Sequence, residues 1–545
     1  MKLTYTIFAF LLTLQSCSKS ETEHANNGPS MQVESVSMNG KEMKNNVKGI
    51  PLDAEWTLQL HQSSDPSQLA SLIRLRDSSK ANVSIRVTGN AEKNQIHIRA
   101  TQSLSPLTDY RIEIDGSPNN LVSDQPLEAY RFYFTTAIDS TDKHVRLSDE
   151  SALLDLVQRQ TFAYFWDFAH PSSGMIPERS GSQQTVTTGG TGFGLMAIVV
   201  GVHRGFITRS EGLQRTQKIV AFLSQADRYH GAFSHWYDGA TGSTLPFSEQ
   251  DDGGDLVETA LLVQGLLAAR EYYEDPSLSS SIDLLIEEVE WSHFQNQQEV
   301  LFWHWSPNHN WALDLKIEGW NESLIAYVLA AGSPTHSITR ETYQKGWARN
   351  GDFRNGKSFY NLPLPLGPDY GGPLFTAQYS FLGLDPNGLR DAYADYGEQT
   401  KNQTLINLAY CVDNPLGYYG YSEDVWGLTA GDIPTGYGAQ SPTNDLGVIS
   451  PTAALSSMPY TPQESLDALA FFYYKLGDRI WGEYGFKDGF SLDEGWFADS
   501  YLAINQGPII IGIENHRSGL IWDLVMRAPE IQTGLRKLGF SSSKI

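Results

Sequence analysis

Six segments of this chain carry glycine or proline at their start and then run apolar or small on nearly every side: GGTGFGLMAIVVGV from 189, GGDLVETALLVQGLLAA from 253, GWNESLIAYVLAAG from 319, GGPLFTAQYSFLG from 371, SPTAALSSM from 450 and GPIIIGIENHRSGLIWDLV from 507. A helix without a polar face has to be covered all round. The stretches between them, such as TRSEGLQRTQKIVAFLSQA (208–226) and SLSSSIDLLIEEVEWS (277–292), are amphipathic and belong outside. Inner and outer helices alternating six times over 150–545 describe an all-α (α/α)6 barrel, a helical-hairpin array of about 50 to 70 residues per hairpin closed on itself.

Ahead of this region the texture is different. Between 31 and 138, WTLQLH, NVSIRVTG, NQIHIRAT, DYRIEID and YRFYFTT alternate apolar with polar at period two between turn residues. Short strands so spaced predict an all-β sandwich, and LSPLTDYRIEI with the closing YRFYFTT resembles bacterial immunoglobulin-like domains. No reactive cluster stands out there, so a spacer role is expected, with residues 139–149 as a linker. Residues 1–16 have one Lys and a short apolar run, too short to span a bilayer, and read as a signal peptide. Leu14-Gln15-Ser16-Cys17 resembles a lipobox, which makes Cys17 the acylation site and 17–30 a polar tether. An extracytoplasmic lipoprotein is expected, held at the outer membrane by lipid only, facing the periplasm or the cell surface. Cys411 then has no partner, so neither a disulfide framework nor a thiol pair for zinc is available.

A net charge of −24 repels phosphate backbones, so nucleic acid is not an expected partner. A monomer is expected. With charged residues at only 19%, the surface relies on neutral polar groups, which suits neutral polar ligands. Twelve of the 13 tryptophans fall beyond residue 138, which places the aromatic ligand surface in the helical part.

The chemistry is expected where the inner-helix lead-ins converge. Asp255 followed by Glu258 fits a capping box at the start of a helix, and Asp251 lies just ahead. Glu322, after Trp320, again sits at an inner-helix start, where the helix dipole favours an acid. Acids recurring at such starts are harder to assign to capping than any one alone. Aromatic loops accompany them: His235 and Trp236; Trp303, Trp305 and Trp311; Tyr419 and Trp426. Flat rings beside carboxylates form a surface for sugars, offering apolar faces to C–H groups and acceptors to hydroxyls. A third cluster holds Asp493, Glu494 and Asp499, and the last inner segment pairs Glu514 with Arg517 as structural charges. No catalytic metal is expected, because the 251–258 acids lack EF-hand spacing and His304 and His309 lack a zinc-binding context. No cofactor is expected either, since GGTGFG follows no strand.

TGGTGFGLMAIVVGVHRGFITR, DDGGDLVETALLVQGLL, GWNESLIAYVLA, PLFTAQYSFLGLDP and SYLAINQGPIIIGIENHRSGLIW together resemble the bacterial glucoamylase-like proteins of glycoside hydrolase family 144. The resemblance implies an (α/α)6 barrel that hydrolyses β-1,2-glucan or its oligosaccharides, within the chain or by release of sophorose, with inversion through an acid/carboxylate pair. It further implies that Asp251, Asp255, Glu258 and Glu322 are important for activity, with a later aspartate, expected to be Asp499, competing with Asp493. The substrate-binding set is then His235, Trp236, Trp303, Trp305, Trp311, Trp320, Tyr419, Trp426, Asp493 and Glu494. Hydrolysis of another glucan linkage, or glycan binding without catalysis by a surface lipoprotein, are the alternatives.

Overall fold

The computed structural model describes residues 30–122 and 125–545; the signal peptide, Cys17 and the tether up to residue 29 lie outside them. The chain divides into two compact units, Met1–Ala137 and Ile138–Ile545.

In the first unit each period-two stretch becomes a strand, including Glu55–Leu60, Gln95–Ala100, Asp109–Ile114 and Tyr130–Thr136. They form two five-stranded sheets. Alternation sends Trp56, Leu58, Ile96 and Ile98 inward from one sheet and Leu75, Ile112, Phe132 and Phe134 from the other, into one core. Trp56 and Phe134 meet across it at 4.8 Å between ring centroids.

The second unit is helical. Residues 139–149 belong to it and are strapped onto the Pro462–Ile480 helix: Lys143 N–H donates to the Tyr474 carbonyl (2.7 Å) and Leu147 N–H to the Tyr474 hydroxyl (3.1 Å). Of the apolar segments, Thr188–His203, Leu256–Tyr273 and Ala503–Arg517 are long helices, buried on nearly every side, and Leu324–Gly332 is shorter. The segment from 371 departs from expectation. It forms only the 3-10 turns Leu374–Ala377 and Ser380–Leu382, and Pro451–Leu455 is a single short helix. The reason lies in where polar side chains go: the Ser380 hydroxyl accepts Ile325 N–H (3.0 Å), and the Gln378 amide donates to the Ala453 carbonyl (3.0 Å), bonds to neighbouring segments that compete with a continuing helix.

The six segments touch in a closed cycle. Gly192 and Gly265 bring two helix backbones into contact, since a Cβ on Gly192 would lie 2.2 Å from the Leu261 carbonyl oxygen. Leu256–Tyr273 packs on Leu324–Gly332, the Ile325 and Gln378 bonds given above join the third, fourth and fifth segments, and Thr452 donates to the Asn505 carbonyl (2.8 Å). Gly507 packs on Phe193 to close the ring. Amphipathic helices such as Glu150–Trp166, Arg209–Leu223 and Pro276–Glu287 accompany them. Buried Glu514 pairs not with Arg517 but with Arg204 (2.7 and 2.8 Å), while Arg517 reaches Asp155 and Gln158. A carboxylate at that depth requires a bidentate partner, and Arg204 ends the neighbouring helix.

Candidate active site

Short antiparallel strand pairs between distant lead-ins at the starts of the inner helices bring those lead-ins together. Thr185–Thr187 pairs with Trp236–Asp238, Gly254–Asp255 pairs with His304–Trp305, and Leu256 N–H donates to the Trp303 carbonyl (2.7 Å). Each pairing places an aromatic or imidazole residue beside a carboxylate at the mouth of the ring.

Asp255, 1% exposed, caps the Leu256–Tyr273 helix, accepting Val257 and Glu258 N–H at 2.9 Å each. Its other oxygen meets His235 Nδ1 at 3.1 Å. The expected capping box is only half formed, because Glu258 turns to the neighbouring helix and its Oε2 accepts Gly189 N–H (2.6 Å). A Cβ on Gly189 would lie 2.7 Å from that same oxygen, so a larger residue there would displace the carboxylate. Burial raises the Glu258 carboxyl, with Asp255 adding to the rise, while His235 and Gly189 N–H oppose it. Burial alone would lower His235, but Glu258, Asp255 and Asp251 lift it to about 9, so the ring is a cation at neutral pH.

Asp251 lies 3.1 Å from His304 Nε2, and burial together with Asp255 raises it to about 7. Glu322 stands two residues ahead of the Leu324–Gly332 helix rather than in its first turn. Its carbonyl accepts the Ser380 hydroxyl, which fixes its backbone. Burial, then the charges of Glu258 and Asp255, raise its carboxyl to about 7.

One cleft of about 490 Å³ is lined by Glu258, Glu322, His235, Trp236 and Trp303. Asp251 and Asp255 stand directly behind it, through His235. The remaining sequence candidates lie elsewhere. Trp305 and Trp311 pack against His293, Trp320 donates its indole N–H to Gln403 (2.9 Å), and Trp426 is fully buried. Tyr419 N–H is bound by Asp493 (2.8 Å), and Glu494 is exposed beside that contact. Asp499 points outward with a side chain 92% exposed and pairs with Lys487 (2.6 Å), which holds its carboxyl below the usual range. None of these lines the cleft.

The cleft instead recruits Glu178, Arg179, Phe247, Tyr379 and Tyr437. Arg179 is held between Glu178 (2.9 Å) and Asp432 (3.2 Å). Phe247 and Tyr437 are half exposed, at 50% and 53%, in spite of their size. Behind this wall Asp488 accepts the Asn505 amide (2.7 Å) and Asp432 N–H (2.6 Å), and burial raises it to about 7. In the sequence, Glu178 and Arg179 lie in IPERSGS, a Pro/Gly/Ser-rich loop ahead of an inner helix with no aromatic residue to mark it, and Tyr379 lies inside one of the six apolar segments.

The family described as "Putative glucoamylase" matches residues 314–529. A crystal structure of a "putative glucoamylase" from Bacteroides uniformis is 55% identical, covers 74% of this chain and 100% of that one, and superposes with a TM-score of 0.73. The endo-β-1,2-glucanase from Chitinophaga pinensis, solved with sophorotriose and glucose, is 48% identical over 73% of this chain and 100% of its own, with a TM-score of 0.72. The chain belongs to this glucoamylase-like family. An exo-β-1,2-glucooligosaccharide sophorohydrolase (non-reducing end) from Parabacteroides distasonis, also similar, is 44% identical over 420 residues, 72% of this chain and 58% of its own length. The chain thus spans a little over half of that curated relative. The proteins similar to this chain thus include some named for the cleavage of β-1,2 linkages.

Proposed function

We propose that the chain is a glycoside hydrolase acting on β-1,2-glucan or its oligosaccharides, either within the chain or by releasing sophorose. The observation that carries the reading is Glu258 and Glu322 in a single aromatic-lined cleft, in a chain 48% identical to an endo-β-1,2-glucanase along that enzyme's whole length. Glu322, near 7, keeps a large share of its acid form at neutral pH and serves as general acid to the leaving oxygen. Glu258, whose carboxylate form cationic His235 and the Gly189 N–H favour against the burial that raises its carboxyl, is the base that activates water. Inversion requires the pair about 6.5 to 9.5 Å apart with that water between them. Asp255 positions His235 and the helix start; Asp251 completes the charge cluster. Trp236, Trp303, Phe247 and Tyr437 give flat faces to glucose rings.

Product analysis on linear β-1,2-glucan, with starch and β-1,3-glucan alongside, tests the reading. Sophorose or short β-1,2-oligomers from the first alone are expected; sugar from another glucan only would overturn the linkage, and no product would move the cleft to binding.

The closed cycle of six inner segments supports an (α/α)6 barrel, and the two-sheet N-terminal unit supports an immunoglobulin-like spacer. Leu14–Cys17 supports lipid anchoring of an extracytoplasmic protein. No described helix is long and apolar enough to cross a membrane.

A further inference from the structure

Away from the cleft, three residues from two segments bring metal-ligating atoms together. His230 sits at the tip of the hairpin between Arg228–Tyr229 and Ala232–Phe233. It has φ 52°, and Gly231 after it has φ 73°, a turn in which glycine or asparagine is the usual choice at the first position. The hairpin is pressed onto the chain before His293. A Cβ on Gly231 would lie 1.8 Å from the Glu288 carbonyl oxygen, and Glu290 N–H donates to the His230 carbonyl (2.9 Å). Glu290 Oε2 then meets His230 Nδ1 at 2.9 Å, and the His230 and His293 rings lie face to face with centroids 3.4 Å apart. One donor atom from each of His230, Glu290 and His293 falls within 4.8 Å of the others. The backbone contacts keep the three side chains together without any ligand.

His293 Nε2 is buried with no hydrogen-bond partner. Two imidazoles and a carboxylate are a donor set for a borderline divalent ion of the zinc, nickel or copper kind, whereas calcium and magnesium favour all-oxygen sites. The rings are nearly parallel at 13°, which suits stacking and directs their lone pairs side by side instead of toward one point. Capture of an ion therefore needs one ring to turn about its Cβ–Cγ bond, a broad torsion in histidine. His293 and Trp311 border a recess of about 440 Å³ that leaves room for the turn.

We propose that His230, Glu290 and His293 form a structural site for a borderline divalent transition-metal ion. None of the three lines the cleft, so the site is separate from the carboxylates assigned to hydrolysis. Its consequence is mechanical. The Trp305 ring stands edge-on to His230 at 4.7 Å, and the Trp305 backbone pairs with Gly254, next to Asp255. An ion here would clamp the hairpin and the His293 turn together against the strand that supports the acidic lead-in.

The test uses the full chain without an affinity tag, titrated with zinc chloride by calorimetry, with His293→Ala and Glu290→Gln beside it. One saturable equivalent per chain is expected, weakened at least about tenfold in each variant. Binding should also change tryptophan fluorescence and raise Tm by at least about 2 °C, both shifts being lost in the variants. Melting of the ion-free proteins separates loss of the site from loss of the fold, and Glu290→Gln, which preserves shape, serves if His293→Ala does not fold. Absence of saturable zinc binding, binding that survives both substitutions, or displacement of zinc by equimolar calcium would each overturn the proposal.

Discussion

At the scale of the residue, what distinguishes the cleft is the company each acid keeps. Asp255 is committed to two backbone N–H groups and an imidazole, whereas Glu322 has no cation to hold its proton off and remains near 7. Replacing Glu322 with Gln should lower kcat by about 10²–10⁴-fold with an unchanged circular dichroism spectrum. The same group sets a pH limb: kcat/KM should fall as pH rises through about 7, because the acid form is lost. It also acts on stability. Its folded value lies above its unfolded one, so its favourable contribution is complete below the ordinary glutamate range and disappears as pH rises through about 7. Glu322→Gln should therefore raise Tm above pH 7 and leave it little changed near pH 4; a variant that melts earlier than the parent at pH 8 contradicts this assignment.

At the scale of the element, glycine decides how near the inner helices come. Gly192 and Gly265 face each other where the Thr188–His203 and Leu256–Tyr273 backbones touch, and the same approach delivers Gly189 N–H to Glu258. A methyl group on Gly192 has no room except by moving backbone, so Gly192→Ala should cost about 1–3 kcal/mol in chemical denaturation. Because the displaced helices carry Glu258 and its N–H donor, activity should fall more than stability alone accounts for, read as a lower kcat at a temperature where the variant is fully folded. Short long-range strand pairs work in the same manner at the mouth: Gly254–Asp255 against His304–Trp305 sets the acid beside its aromatic neighbours.

At the scale of the whole molecule, two compact units each hold a hydrophobic core of their own, and the cleft belongs entirely to the second. Residues 138–545 expressed alone should fold and hydrolyse the same glucan with kcat within about twofold of the full chain, because every group assigned to the chemistry is internal to that unit. Loss of cooperative melting in that fragment would show that the N-terminal unit supports the helical one. By itself the sequence determined the strands of the first unit and the all-buried helices of the second, because period-two alternation and the absence of a polar face are local properties of the chain. It also marked Glu258, Glu322, His235, Trp236 and Trp303, since acids and rings recur at glycine-rich helix starts. Only the tertiary structure decided which remaining rings and acids reach the cleft. Trp320 and Trp426 were buried by packing, and Asp499 was turned outward to Lys487. Glu178, Arg179, Phe247 and Tyr437 were brought in from loops far apart in the chain. A side chain's direction at the mouth of a ring depends on contacts between segments that meet only when the chain folds, and spacing along the chain carries no record of them.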